Sequence, residues 1–304
     1  MKTVIFAKSN QAAKELVAGA KQLGAQQIIQ VALGAEAAAA ATADPSGATS
    51  LALLELPAGS ALENSIDSLK AWFATESPQL VLSEPARQLQ VIVGSLAAGG
   101  GASAICNVES LDASGAQALY FGGIATRTLK PATSVAFYFV GAGVFEADDT
   151  LQAAADQTSI NWVEPQRSIE VLESTDVSGG GSVDLHASSI VVSCGRGFSE
   201  KEDVDLAYQL ADKIGAGVGC TRPLAETTDW FDKHAYIGVT GLMLSPKVFV
   251  VIGASGQTQH MIGATKAETI IAINKDKNAP VFKQCDIGIT ADLKQVLPAL
   301  IAAL

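Results

Sequence analysis

An apolar run from Val248 to Ile252 ends abruptly at Gly253-Ala254-Ser255-Gly256, and a short polar segment of helical character follows. A second run, Thr269 to Ile273, repeats the pattern and ends at Asn274-Lys275-Asp276. Strand, glycine-rich turn and helix start, in that order, leave the first amides of the helix without carbonyl partners. That arrangement suits a phosphate or another anion. The turns gather Ser255, Gln259, His260, Asn274 and Asp292 into one stretch. The rest of the chain is read as what builds, covers or partners that site.

The N-terminal half has the same alternation. Thr3 to Ala7, Ile28 to Ala32, Ser50 to Leu56 and Gln79 to Leu82 read as strands. Between and after them, Ala12 to Leu23, Ala35 to Ala43, Leu62 to Phe73 and Arg87 to Ala98 carry helical spacing, with Pro78 marking the end of the third. Strands alternating with helices at this pace imply a parallel sheet with helices on its faces. After Cys106 the rhythm changes. Ala118 to Thr128 and Ser134 to Val140 are β-rich without an intervening helix, so antiparallel edge strands are expected there, with one more strand at Glu170 to Leu172.

Asp176-Val-Ser-Gly-Gly-Gly-Ser182 is the clearest linker signal, and it sets the expected boundary between domains at 1–182 and 183–304. Beyond it the α/β pattern restarts. Ser189 to Ser193 reads as a strand, Ser199 and Glu202 as a capping box before the helix bearing Val204 to Ile214, and Ala216 to Gly219 as a strand. Asp292 is the expected N-cap of a closing helix, which Pro298 should kink or delay. The fold class is therefore α/β in two domains: an N-terminal parallel-sheet domain with added antiparallel strands, and a C-terminal Rossmann-like domain.

A chain of 304 residues with 48% hydrophobic and 17% charged residues is long and apolar enough for two ordinary cores. Its net charge of −11 disfavours nucleic acid or an anionic membrane as a partner, since both are polyanions. Any bound phosphate must be held by local arginines and backbone dipoles against that field. Cys106, Cys194, Cys220 and Cys285 lie far apart with no C-x-x-C spacing, so free buried thiols are expected and a metal site is not. The opening MKTVIFAKSNQ reads as a first strand rather than a signal peptide, and no run approaches the ~18 apolar residues of a membrane span. A cytoplasmic protein is the expectation.

Two motifs fail on inspection. Gly99 to Ala104 satisfies a loose G-x-G-x-x-A pattern, but a helical segment precedes it and a β-type run follows, the reverse of a dinucleotide fingerprint. Gly253-Ala-Ser-Gly-Gln257 resembles a nucleophile elbow until Gln257 takes the place of its last glycine. No catalytic residue is assigned. Arg196 and Arg222 each follow an expected strand end, where open parallel sheets bind their ligands. Position alone leaves open whether they meet an anion or pair with a neighbouring carboxylate.

At these residues the sequence resembles the alpha subunit of electron transfer flavoprotein. The signature is Gly253-Ala-Ser-Gly-Gln-Thr-Gln-His260, Ala272-Ile-Asn-Lys-Asp276, Ala279-Pro-Val-Phe282 and Asp286-Ile-Gly-Ile-Thr-Ala-Asp292. Upstream, Gly195-Arg-Gly197, Thr221-Arg222 and Gly238-Val-Thr-Gly241 fall in the family's order, while the N-terminal half matches more loosely through Tyr120-Phe-Gly-Gly123. The wording at Arg222 to Glu226 and Gln257 to Met261 is similar to a bacterial branch associated with carnitine and acyl-CoA metabolism.

The resemblance implies one FAD on the C-terminal domain and a beta-subunit partner in a heterodimer. It implies an electron carrier rather than a substrate-converting enzyme, with an acyl-CoA dehydrogenase-type donor and a downstream quinone oxidoreductase or similar acceptor. By position, Arg222 would lie over the flavin ring, beside Thr221, with Thr240 near N5 in the turn Gly238 to Gly241. His260 would sit at the O2 edge. Ser255 and Gln259 would hold the ribityl and pyrophosphate region and Asn274 and Asp292 the adenosine half, with Gly256 and Gln257 also on the cofactor and Arg196 in a structural or interface position. A cation at Arg222 and a donor at His260 would favour negative charge on the ring. The family's turn is G-Q-T-G-K, whereas Val239 and Leu242 replace its Gln and Lys here, and Ile287 stands where an aromatic is common. Those replacements keep a second reading in play, a nucleotide-binding or regulatory module of the same fold without redox activity. An NAD-dependent enzyme is a third reading, for which the sequence offers no convincing base or nucleophile.

Overall fold

The computed structural model describes residues 1–121, 125–147, 154, 156–173 and 185–304. The expected linker at 176–182 lies outside the described residues, as do Gly122 and Gly123. The chain divides into two compact units, Met1–Tyr120 with Ala125–Thr175, and Phe121–Ile124 with Asp176–Leu304.

The first unit alternates β1 (Lys2–Phe6), α1 (Asn10–Gln22), β2 (Gln27–Leu33), α2 (Ala35–Ala43), β3 (Ser50–Leu54), α3 (Ile66–Glu76), β4 (Leu80–Ser83) and α4 (Arg87–Gly99). It continues with β5 (Ser103–Asp112), β6 (Gly115–Tyr120), β7 (Ala125–Leu129), β8 (Ala136–Val140) and β9 (Asp156–Ile160). These build one sheet in the order β7-β6-β5-β8-β4-β1-β2-β3-β9. The two-residue side-chain period divides its core: Val4 and Phe6 face one apolar cluster and Ile5 the other. Phe73 lies between Phe6 and Phe137, with ring centroids 6.2 Å away on each side. Helix α1 starts where the Ser9 hydroxyl accepts the Ala12 amide at 3.1 Å, a cap that contributes about 1 kcal/mol. Helix α3 stops at Ser77, whose left-handed φ of 50° precedes Pro78.

Two expectations for this unit are corrected. The β6 and β7 strands are antiparallel at the sheet edge as expected, but β8 is a central strand parallel to both β4 and β5. All five β8 residues are buried, which is what covering on both faces demands. Glu170 to Leu172 is not a strand. The neighbouring Ile169 backbone is instead tied to the Asn64 side-chain amide, with bonds of 2.7 and 3.0 Å. Meanwhile β9 pairs with β3 from a polar stretch in which four of five residues are exposed, so no apolar pattern marked it.

The second unit contains β10 (Ile190–Cys194), α5 (Val204–Ile214), β11 (Gly217–Cys220), α6 (Arg222–Glu226), β12 (Val248–Ile252), α7 (Thr258–Met261), β13 (Thr269–Asn274), β14 (Ile287–Thr290) and α8 (Leu293–Ala303). Its five strands are all parallel, in the order β11-β10-β12-β13-β14. From β10 the chain steps outward to β11, and from β12 it steps outward the other way. The carboxyl ends of β10 and β12 therefore form the switch point at which open α/β sheets bind ligands. Helices α5 and α8 cover one face through Leu210, Ala211, Leu293 and Leu297.

The expected capping box lies one residue further on: the Asp203 carboxylate accepts the Glu200 amide at 3.2 Å. Asp292 caps α8 as expected, accepting the Lys294 amide at 2.8 Å. Pro298 sits inside α8 without ending it, on the exposed side, where a missing backbone donor is least costly.

Candidate functional site

The switch point is built from backbone meeting backbone. A Cβ added at Gly197 would lie 2.6 Å from the Gly253 Cα, and one at Gly195 2.4 Å from the Ala254 Cα. The Gly197 amide donates to the Gly253 carbonyl at 2.8 Å, and Gly195 donates to Ile252 at the same distance. Gly253 itself has a φ of +66°, a conformation that side chains resist. The first glycines of the two turns are thus what lets β10 and β12 end side by side.

Around this seam opens a cleft of about 980 Å³. Of the residues expected to hold a cofactor, Arg196, Thr221, Arg222, Ser255, Gly256, Gln257, Gln259, His260 and Asn274 line it. Four others do not. Gly238 is packed against Gln259 and Gly263, where a Cβ would come within 2.1 Å of the Gln259 carbonyl oxygen. Gly241 is packed the same way against Tyr236. The Thr240 hydroxyl donates to the Val239 carbonyl at 2.6 Å and meets the Tyr236 hydroxyl at 2.9 Å. Asp292 is engaged as the α8 cap.

The polar groups of the cleft fall into engaged and open ones. Asn274 spends its side chain on the turns, donating to the Ala254 carbonyl at 2.8 Å and accepting the Asp276 amide at 2.9 Å. The Gln284 amide does likewise toward the Gly256 carbonyl. By contrast, the Thr221 hydroxyl is buried and without a partner. Among the described residues, the amides of Ser255, Gly256 and Gln257 also meet no acceptor. A buried hydroxyl left alone costs about 1–3 kcal/mol, so this wall suits a ligand that brings it a hydrogen-bond partner.

His260 is buried and held at both ring nitrogens. Its Nδ1 is 2.9 Å from the Ile237 carbonyl and its Nε2 is 3.2 Å from the Ser193 hydroxyl. A carbonyl only accepts, so Nδ1 carries the proton and Nε2 accepts from Ser193 in the neutral ring. Burial holds the His260 pKa below its ordinary value, with the Ile237 bond opposing that shift. The ring acts as a neutral brace between β10, α7 and the 237–242 turn.

Arg222 stands at the N-terminus of α6 and extends into the cleft. Its Nε donates to Glu226 at 2.6 Å, and its guanidinium lies 5.9 Å from the centroid of the Tyr236 ring. The Glu226 carboxylate raises the Arg222 pKa further. This arginine pairs with a carboxylate and also lines the cleft. Arg196 supplies the other cleft cation. Behind them Cys194 and Cys220 are neutral thiols in the core, that of Cys220 pushed up to about 12 by burial. Among the described residues no cluster of His, Cys, Asp or Glu could hold a metal.

Sequence reasoning passed over Glu226, Tyr236, Asp276 and Gln284, all of which line the cleft. The four-residue step from Arg222 to Glu226 was the available signal for one of them.

The family comparison falls on this unit. Residues 184–265 match the electron transfer flavoprotein FAD-binding domain. The chain is 42% identical over 187 residues to protein FixB of Escherichia coli O139:H28, a match that spans 61% of this chain and 59% of that protein. It is 41% identical over the same spans to FixB of Escherichia coli O7:K1. A solved Mycobacterium smegmatis chain described as a thiamin diphosphate-dependent enzyme aligns at 11% identity and a TM-score of 0.27, over all of this chain and 60% of that one, too weakly to carry an argument. At residues 184–265, which include β10 to α7 and much of the cleft lining, the chain is thus similar to the electron transfer flavoprotein FAD-binding domain, and it spans about 59% of the FixB relatives' length.

Proposed function

We propose that the chain is the alpha subunit of a heterodimeric electron transfer flavoprotein, which takes electrons from acyl-CoA dehydrogenase-type enzymes and passes them to a quinone oxidoreductase or similar acceptor. The observation that carries the reading is the cleft at the β10/β12 switch point, with its unpartnered Thr221 hydroxyl and open Ser255 to Gln257 amides. These are the donors an extended dinucleotide needs: small, uncharged and fixed by backbone. FAD, when bound, supplies the electron-carrying ring.

In this reading the chain's own residues do the following. The Ser255 to Gln257 amides and the Ser255 hydroxyl take the anionic centre of the ligand, and Arg196 and Arg222 offset its charge within a protein of net charge −11. Arg222 offers a planar cation that favours electron density on a ring beside it. Neutral His260 contributes a fixed dipole and shape rather than a charge. Val239, on the cleft wall where the family's turn has Gln, presents apolar surface. Leu242 packs into the apolar cluster of Phe249 and Ile237, where a lysine could not follow without desolvating its charge. Those two residues favour the alternative of a nucleotide-binding module without redox activity, in which FAD would bind but not turn over.

Co-expression with its beta subunit is the test. A yellow heterodimer whose flavin bands bleach when an acyl-CoA dehydrogenase and its substrate are added supports the carrier. A yellow heterodimer that no such donor reduces supports the alternative, and a colourless one that takes up no FAD defeats both. Among the described residues no helix is long and apolar enough to cross a membrane. A cytoplasmic location belongs to the same proposal, and fractionation of the cell checks it.

A further inference from the structure

Four side chains form a continuous arc from the cleft to the adjoining 238–241 turn. Glu226 holds the Arg222 Nε at 2.6 Å, and the Arg222 guanidinium lies over the Tyr236 ring at 5.9 Å. The Tyr236 hydroxyl meets the Thr240 hydroxyl at 2.9 Å, and Thr240 in turn donates to the Val239 carbonyl. Tyr236 is the one member that touches both halves. Its ring is buried and lines the cleft, while Arg222 and Thr240 are exposed and have little else to fix them.

We propose that Tyr236 is a positioning residue that locks the Arg222 cation to the 238–241 turn, and so sets the charge and hydrogen bonding that bound FAD meets.

The inference rests on the FAD reading of the cleft and deepens it. An exposed ion pair such as Arg222–Glu226 restrains its arginine weakly, because solvent competes for both partners. A guanidinium at the outer limit of cation–π range gains from the ring face mainly in direction. The two holds act on different parts of the group, Glu226 on Nε and Tyr236 on the plane, and together they aim it. Thr240 needs restraint for another reason. Its φ is +67°, a conformation costly for a β-branched residue, so the turn keeps it only while neighbours hold it there. The Tyr236 backbone shares that work: the Leu242 amide donates to its carbonyl at 2.9 Å. The Tyr236 aromatic body thus packs in the core of the unit while its hydroxyl reaches the turn, a division that phenylalanine would keep only in part.

The test compares wild type, Tyr236→Phe, Thr240→Ala, the double variant and Tyr236→Leu, each co-expressed with the beta subunit and loaded with FAD. The readouts are the FAD dissociation constant, the visible absorption bands of the bound flavin and its midpoint potential. The expectation is that Tyr236→Phe melts like wild type, shifts the flavin bands and potential, and binds FAD roughly threefold to tenfold more weakly, the scale of one neutral hydrogen bond. Thr240→Ala should do the same and the double variant no more than either, because both changes remove one contact. Tyr236→Leu should exceed them by releasing Arg222 as well. A wild type that binds FAD, with a Tyr236→Phe variant of unchanged bands, potential and affinity, overturns the inference alone. So do fully additive effects in the double variant. A wild type that takes up no FAD overturns the reading of the cleft itself and this inference with it.

Discussion

Ser193, near the end of the first strand of the second unit, donates its hydroxyl to the Nε2 of His260, 67 residues further along the chain and 3.2 Å away. With Nδ1–H on the Ile237 carbonyl, the ring is fixed in one tautomer from both sides. Ser193→Ala should therefore leave a buried acceptor unpaired and cost about 1–3 kcal/mol. Urea unfolding of the variant measures it, and ¹⁵N shifts of the imidazole show whether the Nδ1–H tautomer persists.

The same ring predicts an acid-sensitive step. The His260 pKa is lowered in the folded chain by burial, so between its folded value and about 6.5 the unfolded chain binds the extra proton. Stability contributed by the neutral ring is fully present above about pH 6.5 and falls as pH drops through the folded pKa. Asp44, Asp112 and Asp203 are also lowered, but their losses begin only near the carboxylate range of about pH 4. His260→Gln should flatten the unfolding free energy just below pH 6.5 and leave the steeper loss in the carboxylate range. An unchanged slope in that variant would place the titration elsewhere.

Gly197→Ala tests the seam between β10 and β12. The added Cβ would stand 2.6 Å from the Gly253 Cα, a backbone atom that cannot step aside without moving the strand. Overpacking of this kind costs about 1–3 kcal/mol, and here it should also abolish flavin uptake by prising open the switch point. Thermal melts and flavin absorption of the purified variant read both.

Thr221→Val separates fold from binding. The hydroxyl is buried and unpartnered, so replacing it with a methyl should leave the FAD-free protein equally stable or slightly more so. With FAD present the variant should bind about twofold to tenfold more weakly, having lost one donor. Equal affinity in a titration of the two proteins would remove Thr221 from the site.

Arg222→Ala should leave stability nearly unchanged, since its ion pair with Glu226 is exposed. The midpoint potential of bound FAD should fall, because a cation that favours electron density has gone. A twofold to tenfold effect corresponds to roughly 20–60 mV at 59 mV per decade for one electron. Spectroelectrochemistry of the loaded protein decides it.

Most of the second unit was legible in order. Val248 to Ile252 and the glycines after it read as strand and turn because apolar patterning and Gly punctuation are local properties. What patterning missed was equally physical. The β9 strand is polar because its residues face solvent, and β14 is short, exposed and interrupted by Gly288, so neither carries an apolar run. The Glu170 to Leu172 stretch had the composition of a strand and no strand to pair with.

The family resemblance read from the sequence supplied the expected ligand class and named nine residues that line the cleft, since glycine turns at strand ends can be read without a fold. The tertiary structure alone decided what those residues do. It turned Asn274 toward its own backbone and left Thr221 open. It gave both nitrogens of His260 to Ser193 and Ile237, and brought Tyr236 beneath Arg222. Hydrogen-bond partners drawn from distant strands are set by three-dimensional proximity, which residue spacing does not encode.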